Sequence, residues 1–162
     1  MSTAPKFKIL MLAANPVNTT QLRLDEEQRE IDNALRLSEY RNLFTLQAVF
    51  AVRIEDMRRA MLRFEPQIVH FSGHGQDGNI YLEDKNGNAR AIASDALGDF
   101  FSIFPSVQCV LLNACFSEEL AGAINLTVPY VIGMQTEVQD SSAISFATAF
   151  YDLTDTLELS AG

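Results

Sequence analysis

The sequence contains no tryptophan, only two cysteines among 162 residues, and no long apolar run. Two cysteines give no disulfide framework, and the histidines and cysteines lack the spacing of a zinc site, so we expect neither a metal nor another cofactor. No apolar run approaches the roughly 18 residues that a membrane span requires. The N-terminus also lacks the order of a signal peptide. We therefore expect a cytoplasmic protein with free thiols that does not interact with a membrane.

Basic residues are missing from the second half of the chain. All 12 lysines and arginines lie in residues 1–90, whereas residues 91–162 contain only acidic charges and account for the net charge of −9. A nucleic-acid-binding protein needs a basic face that displaces counterions from phosphates. The one concentration of basic residues falls on a single predicted helix and comprises Arg53, Arg58, Arg59 and Arg63. We therefore expect no direct binding of nucleic acid.

Apolar runs that alternate with amphipathic segments predict the fold. Five buried strands are predicted, at Phe7–Ala13, Phe44–Val52, Ile68–Ser72, Val107–Leu112 and Tyr130–Met134. Helical spacing between them, as over Ile54–Phe64, predicts an α/β sandwich with a mainly parallel sheet. Asn86–Gly87 predicts a β-hairpin with a type I′ turn after the third strand. We expect one domain over residues 1–162. A further strand is expected after Leu157–Gly162, which would make this chain a fragment of a longer protein.

Two predicted strands end in reactive side chains. Ile68–Ser72 is followed by Gly73, His74 and Gly75, and the next strand of the sheet leads to Cys115. The carboxyl ends of parallel strands meet at one edge, with neighbours about 4.8 Å apart, so His74 and Cys115 are expected to lie close together. A thiol and an imidazole form the pair needed for nucleophilic catalysis. The backbone amides of Gly75 and Cys115 are candidates for an oxyanion hole.

The other histidine and cysteine have different expected roles. Cys109 lies inside a predicted strand, where a cysteine usually serves as a small apolar side chain. His70 also lies inside a strand and is expected to be a core residue or to support the site from below. Cys115 precedes a helix, and a helix N-terminus favours the thiolate form. Its position alone leaves a buried structural role open as well.

The motifs His70-Phe71-Ser72-Gly73-His74-Gly75 and Leu112-Asn113-Ala114-Cys115 resemble those of the CHAT family of caspase-like cysteine peptidases, relatives of caspases, metacaspases and separase. The resemblance covers nearly the whole chain. It implies a caspase-like α/β/α sandwich with a small hairpin after the catalytic histidine. It also implies that His74 is the catalytic histidine, Cys115 the nucleophile, and the Gly75 and Cys115 amides the oxyanion hole. Such domains normally continue beyond the last predicted helix of this chain.

The leading hypothesis is a cysteine endopeptidase that cleaves protein substrates through a Cys115–His74 dyad. The resemblance implies an effector module of a bacterial signalling or defence system, controlled by a sensor or regulatory domain or partner protein. The arginine-free second half disfavours cleavage after aspartate. Asp77, Glu137 and Asp140 are candidate contacts for a basic P1 residue, although an apolar P1 stays open and Asp140 is better explained as a helix cap.

Two alternatives belong to other functional classes. The first is a latent or catalytically inactive caspase-like module that serves interaction alone. The second is a flavodoxin-like binder of phosphate or nucleotide. The second is disfavoured because Ala13-Ala14-Asn15-Pro16, which follows the first strand, has neither the glycines nor the lysine of a phosphate-binding loop.

Overall fold

The computed structural model describes residues 7–153, in which eight strands and five α-helices are formed. The strands are β1 (Phe7–Ala13), β2 (Phe44–Val49), β3 (Ile68–Ser72), β4 (Gly75–Gln76), β5 (Asn79–Glu83), β6 (Ala89–Ala93), β7 (Cys109–Asn113) and β8 (Tyr130–Ile132). The helices are α1 (Leu24–Leu37), α2 (Ile54–Phe64), α3 (Ser94–Ser102), α4 (Glu118–Ile124) and α5 (Asp140–Leu153). A short 3-10 turn at Arg41–Leu43 precedes β2.

A five-stranded parallel sheet with the order β2-β1-β3-β7-β8 forms the centre of the fold. Its strands are apolar on both faces because helices cover both. In β1, Leu10 and Leu12 belong to the core beneath α2, α3 and α4, whereas Ile9 and Met11 belong to the core beneath α1 and α5. The α/β sandwich with a mainly parallel sheet that the sequence predicts is confirmed.

Strands and helices bounded by a clear stop were predicted accurately. β1, β3 and α2 have the predicted bounds, whereas β2 ends at Val49 rather than Val52. β2 ends early because Ala51 adopts a left-handed φ of 51°, a backbone conformation that is incompatible with an extended strand. β8 ends at Ile132, since the amide of Met134 leaves the sheet and donates a hydrogen bond to the hydroxyl of Ser117 at 2.9 Å.

The hairpin after His74 is present as a small antiparallel sheet of β4, β5 and β6, but the prediction of a type I′ turn is wrong. Type I′ requires positive φ at two successive residues, and here only Gly87 has it, with φ 81°, whereas Asn86 does not. The carboxylate of Asp84 instead accepts hydrogen bonds from the amides of Asn88 and Asn86. These two bonds hold the pKa of Asp84 below its ordinary value.

None of the helices within residues 7–153 combines the length and the apolar composition that a membrane span requires. The further strand expected after Leu157–Gly162 concerns residues outside the described range.

Replacing Leu12 with alanine should lower the free energy of unfolding by about 2–5 kcal/mol, because its side chain is buried in the central strand and leaves a cavity. The matched variant Leu37→Ala removes the same atoms from a side chain that is 87% exposed, and should change that free energy by less than about 0.5 kcal/mol. Urea denaturation monitored by circular dichroism measures both. Equal losses in the two variants would contradict this arrangement of the core.

Candidate active site

His74 and Cys115 follow two strands that pair directly with each other. β3 and β7 are parallel, and their register sets Ser72 opposite Asn113, the last residue of each strand. Each reactive residue therefore comes two positions after its strand ends. Both residues line a groove of about 690 Å³, and both also line a smaller cavity of about 30 Å³. The structure thus brings the two predicted residues to the same place at the carboxyl edge of the sheet.

The segments after β3 and β7 touch because residue 75 has no side chain. A Cβ at Gly75 would collide with the carbonyl oxygen of Cys115 and would lie 3.1 Å from the Cβ of Ala114. The carbonyl of His74 accepts a hydrogen bond from the amide of Tyr81 at 3.1 Å, which puts Gly75 at a position where the ladder to β5 forms no bond. Its amide therefore faces away from β5. Among the described residues, the amide of Cys115 donates no hydrogen bond.

A backbone carbonyl orients the imidazole of His74. Its Nε2 lies 2.6 Å from the carbonyl oxygen of Thr20. A carbonyl oxygen only accepts hydrogen bonds, so Nε2 carries the proton and Nδ1 is the unprotonated nitrogen of the neutral ring. No residue type indicates this contact in advance, because Thr20 acts through its main chain and lies 54 residues away.

The thiol of Cys115 contacts the backbone of Val138, just before α5. The amide of Val138 donates to Sγ at 3.3 Å, and Sγ lies 3.7 Å from the carbonyl oxygen of the same residue. The thiol is therefore held by a backbone contact with the segment before α5. The helix N-terminus expected beside it begins three residues later, and its first turn carries the acidic residues Glu118 and Glu119.

The two reactive side chains are each bonded to the main chain and not to each other. Among the described residues, the hydrogen-bond partners of the His74 and Cys115 side chains are Thr20 and Val138, respectively. The residue after the cysteine, Phe116, has a left-handed φ of 51°, which is uncommon for a large side chain and recurs at functional sites. This turn leads from β7 into α4 and leaves the Phe116 ring half-exposed at the groove.

Carboxylates line the groove beside Cys115, and among residues 7–153 no lysine or arginine lines it. Two of the four acidic residues were predicted as substrate contacts and two were predicted only as the start of a helix; the four are Asp77, Glu137, Glu118 and Glu119. Asp140 lines the smaller cavity instead. Its carboxylate accepts a hydrogen bond from the amide of Arg23 at 2.9 Å, which ties the start of α5 to the start of α1.

A buried polar cluster centred on Glu27 of α1 lies beneath the two strand ends. Its carboxylate contacts Nε2 of His70 at 2.7 Å and accepts hydrogen bonds from the amide of Asn113, at 2.7 Å, and from the hydroxyl of Ser72. Nδ1 of His70 lies 3.0 Å from the hydroxyl of Tyr151 in α5. His70 is fully buried, in agreement with its expected core or supporting role.

Glu27 is held as a carboxylate. Burial raises the pKa of this carboxyl, but the hydrogen bond and charge of His70, together with the hydrogen bonds from Ser72 and Asn113, outweigh burial and leave the pKa below its ordinary value. Glu27 is not among the candidate residues that the sequence motifs indicate, although it occupies the same apolar face of α1 as Leu24 and Ile31. A charged residue on an apolar face is rarely buried without a partner. The presence of a glutamate at this position of α1 is therefore the signal from which a buried polar cluster could have been predicted.

Cys109 differs from Cys115 in its surroundings. It lies within β7, and burial raises the pKa of its thiol to about 11, so the thiol stays protonated near neutral pH. Within residues 7–153, no group of three or more histidine, cysteine, aspartate or glutamate side chains could hold a metal ion.

The loop after β1 is not arranged to bind a phosphate. The amide of Asn15 donates to the carboxylate of Glu83 at 2.9 Å, and the Asn15 side chain forms two hydrogen bonds with the backbone of Leu22. The first turn of α1 carries three acidic residues, Asp25, Glu26 and Glu27. Their charges repel an anion from this helix N-terminus. These contacts disfavour the phosphate- or nucleotide-binding alternative.

Gly75→Ala should lower the free energy of unfolding by about 1–3 kcal/mol, because the added methyl group meets the carbonyl of Cys115. Gly122→Ala in α4 is the matched control. No atom of residues 7–153 lies within 4 Å of a Cβ at that position. The helix propensity of alanine is more favourable than that of glycine by about 1 kcal/mol, so this variant should be stabilised. Thermal and urea unfolding compare the two. Full stability of Gly75→Ala would be inconsistent with the close approach of the two segments.

Comparison with known proteins identifies the family. The family model of the CHAT domain matches residues 2–158. Two curated relatives are each 24% identical, a "Roc-COR-CHAT protease" of an unknown prokaryotic organism over 153 residues and a "Probable protease" of Gillisia limnaea over 151 residues. The alignments cover 89% and 88% of this chain but only 14% and 26% of the relatives' own lengths.

A solved structure shares the fold. A secreted C11 cysteine protease from Bacteroides thetaiotaomicron, in complex with an irreversible peptide inhibitor, superimposes with a TM-score of 0.66 at 12% identity. The match covers 98% of this chain and 55% of that chain. The family match extends over the strands, the hairpin and both segments that carry His74 and Cys115. This chain therefore belongs to the CHAT domain family.

Proposed function

We propose that this chain is the catalytic module of a cysteine endopeptidase that cleaves protein substrates through Cys115 and His74. The observation that carries the proposal is the placement of both residues in one groove, after two strands that pair directly. The protease names of both curated relatives support it, as does the fold shared with a C11 cysteine protease.

The contacts of His74 and Cys115 suggest how the reaction proceeds. Sγ of Cys115 attacks the substrate carbonyl carbon while its proton passes to Nδ1 of His74, whose Nε2–H stays bonded to Thr20. The amides of Gly75 and Cys115 donate to the resulting oxyanion, and each such donor stabilises it by a few kcal/mol. The imidazolium then protonates the leaving amine, and the C–N bond breaks. Water, deprotonated by Nδ1, hydrolyses the thioester and restores the thiol.

The acidic groove favours a substrate with a basic P1 residue over one with an acidic P1 residue. Asp77 and Glu137 line it together with two further carboxylates, and no lysine or arginine of the part of the chain that the structure describes lines it beside them. Opposite charges attract and like charges repel, and salt screens both effects at an exposed groove. Asp140 contributes less to this preference, because its carboxylate already accepts the hydrogen bond from Arg23.

One observation favours the alternative of a latent or inactive interaction module. The side chains of His74 and Cys115 are bonded to the backbone of Thr20 and Val138 rather than to each other. A latent module would keep these bonds, whereas an active enzyme would exchange the Cys115–Val138 contact for one with His74 or substrate. Catalytic hydrogen bonds often tighten only when substrate is bound.

We also propose a place for this module in the cell. The curated relatives are much longer than this chain, and the name of one of them includes Roc and COR beside CHAT. This supports an effector module of a bacterial signalling or defence system that is switched on by a sensor or regulatory domain or partner. The free thiols of Cys109 and Cys115 support a cytoplasmic location.

Cys115→Ala should abolish cleavage of a peptide library, with a loss of at least about a thousandfold in kcat/KM, because the nucleophile is gone. Iodoacetamide should label wild type and the control Cys109→Ala but not Cys115→Ala, since the Cys109 thiol stays protonated. Mass spectrometry locates the label. Equal labelling of wild type and Cys115→Ala would refute the proposal, and labelling of Cys115 without any cleavage would establish the latent module.

Profiling the same library should show basic residues at P1. The double variant Asp77→Asn, Glu137→Gln should lower kcat/KM for basic-P1 peptides by about threefold to tenfold, as expected for the loss of two exposed charges. Asp99→Asn removes a charge outside the groove and should leave kcat/KM unchanged. Preferred cleavage after acidic residues, or equal effects of the groove variant and the control, would contradict this specificity.

A further inference from the structure

We propose that Glu27 is a positioning residue, whose buried carboxylate holds the ends of β3 and β7 together and so sets the separation of His74 and Cys115. This inference rests on the proposed function, because it concerns the geometry of the same pair. Glu27 does not touch the reacting atoms in this arrangement. It acts through the strand ends.

The bonds of Glu27 join the two strands at their last residues. Oε2 accepts from the hydroxyl of Ser72, and Oε1 accepts from the side-chain amide of Asn113 at 2.7 Å. Ser72 and Asn113 are register partners at the ends of β3 and β7. Each precedes a reactive residue by two positions. A change in the distance between these two strand ends therefore changes the distance between His74 and Cys115, because each reactive residue follows its strand end by only two positions.

The same cluster fixes α5, which continues from the segment that holds the thiol. Asn113 also donates to the carbonyl of Ala143 at 3.2 Å, and His70 connects Glu27 to Tyr151. Val138, whose backbone contacts Sγ of Cys115, lies two residues before α5. The Glu27 carboxylate thus influences the position of the Cys115 thiol by two routes. One runs through the end of β7, and the other runs through α5 and the segment before it.

Stability alone does not explain a carboxylate at this position. The surrounding face of α1 is apolar, and Leu24 and Ile31 pack there against Met11 and its neighbours. A buried ion pair or hydrogen-bonded charge is often matched or exceeded in stability by an apolar side chain of similar volume. Glu27 is 1% exposed, and the hydrogen bonds of its carboxylate with described residues go to the two strand ends and to His70. An apolar residue at this position would form no hydrogen bonds to Ser72 and Asn113, and so would not set the spacing of the two strand ends.

The test compares Glu27→Gln with Glu30→Gln, which makes the same charge change one turn further along α1 at a half-exposed side chain. Glutamine keeps the shape of Glu27 but replaces one acceptor oxygen by a donor. We expect kcat for a library-derived peptide to fall by roughly tenfold to a hundredfold with KM within about twofold, because misplacement by about 1 Å costs rate rather than binding. Glu30→Gln should retain the wild-type kcat.

Ser72→Ala is the second variant. It releases only the end of β3 and leaves Glu27 bonded to His70 and Asn113, so it stays informative if Glu27→Gln does not fold. We expect its kcat to fall by about tenfold, again at constant KM. Urea denaturation establishes that each variant is folded under the assay conditions. A wild-type kcat in folded Glu27→Gln or Ser72→Ala, or a rise in KM alone, would overturn the proposal.

Alkylation of Cys115 separates this proposal from the proposed function. The rate of iodoacetamide labelling, measured at fixed pH in wild type and both variants, depends on the surroundings of the thiol and needs no substrate. If wild type cleaves no peptide but the labelling rate changes several-fold in Glu27→Gln, the endopeptidase proposal fails and the positioning role stands. If wild type cleaves peptides and neither kcat nor labelling changes in the variants, only the positioning role fails.

Discussion

The parallel pairing of β3 with β7 determines where reactive groups meet in this protein. The two strands end at the same level, with Ser72 opposite Asn113, and each continues for two residues to a reactive side chain. A register shift of one residue would send every side chain of the shifted strand to the opposite face of the sheet. It would bring an apolar residue, Leu112, opposite Ser72. The groove, the oxyanion-hole candidates and the buried cluster all depend on this register.

The two faces of the sheet carry different kinds of side chain. On the face covered by α2, α3 and α4, β3 presents Val69 and Phe71, which pack into a large apolar cluster. On the other face it presents His70 and Ser72, which bond to Glu27. Successive side chains of a strand point to opposite faces of the sheet, so one strand carries the apolar residues on one face and the polar residues on the other. One face therefore supplies burial of apolar surface, and the other supplies directional contacts beneath the site.

Much of the fold and part of the site could be predicted from the sequence, and the difference has a physical cause. Apolar runs with distinct ends predict strands because both faces of a parallel sheet are buried, and strand order then places His74 near Cys115. The contacts of Thr20 and Val138 with the reactive side chains could not be predicted, because they use backbone carbonyl and amide groups, which nearly every residue type has. Glu27 was predictable in principle, since a charge interrupts the apolar face of α1.

The contacts around the site join parts of the chain that are made at very different times during translation. Glu27 and Asn113 are 86 residues apart, and Arg23 and Asp140 are 117 apart. Loops this long close late, because the entropy of closure is lost before the contacts form. A growing chain that has reached Cys115 still lacks Val138 and Tyr151. The thiol therefore acquires its complete surroundings only after α5 has been synthesised, and a partly translated chain carries an unassembled site.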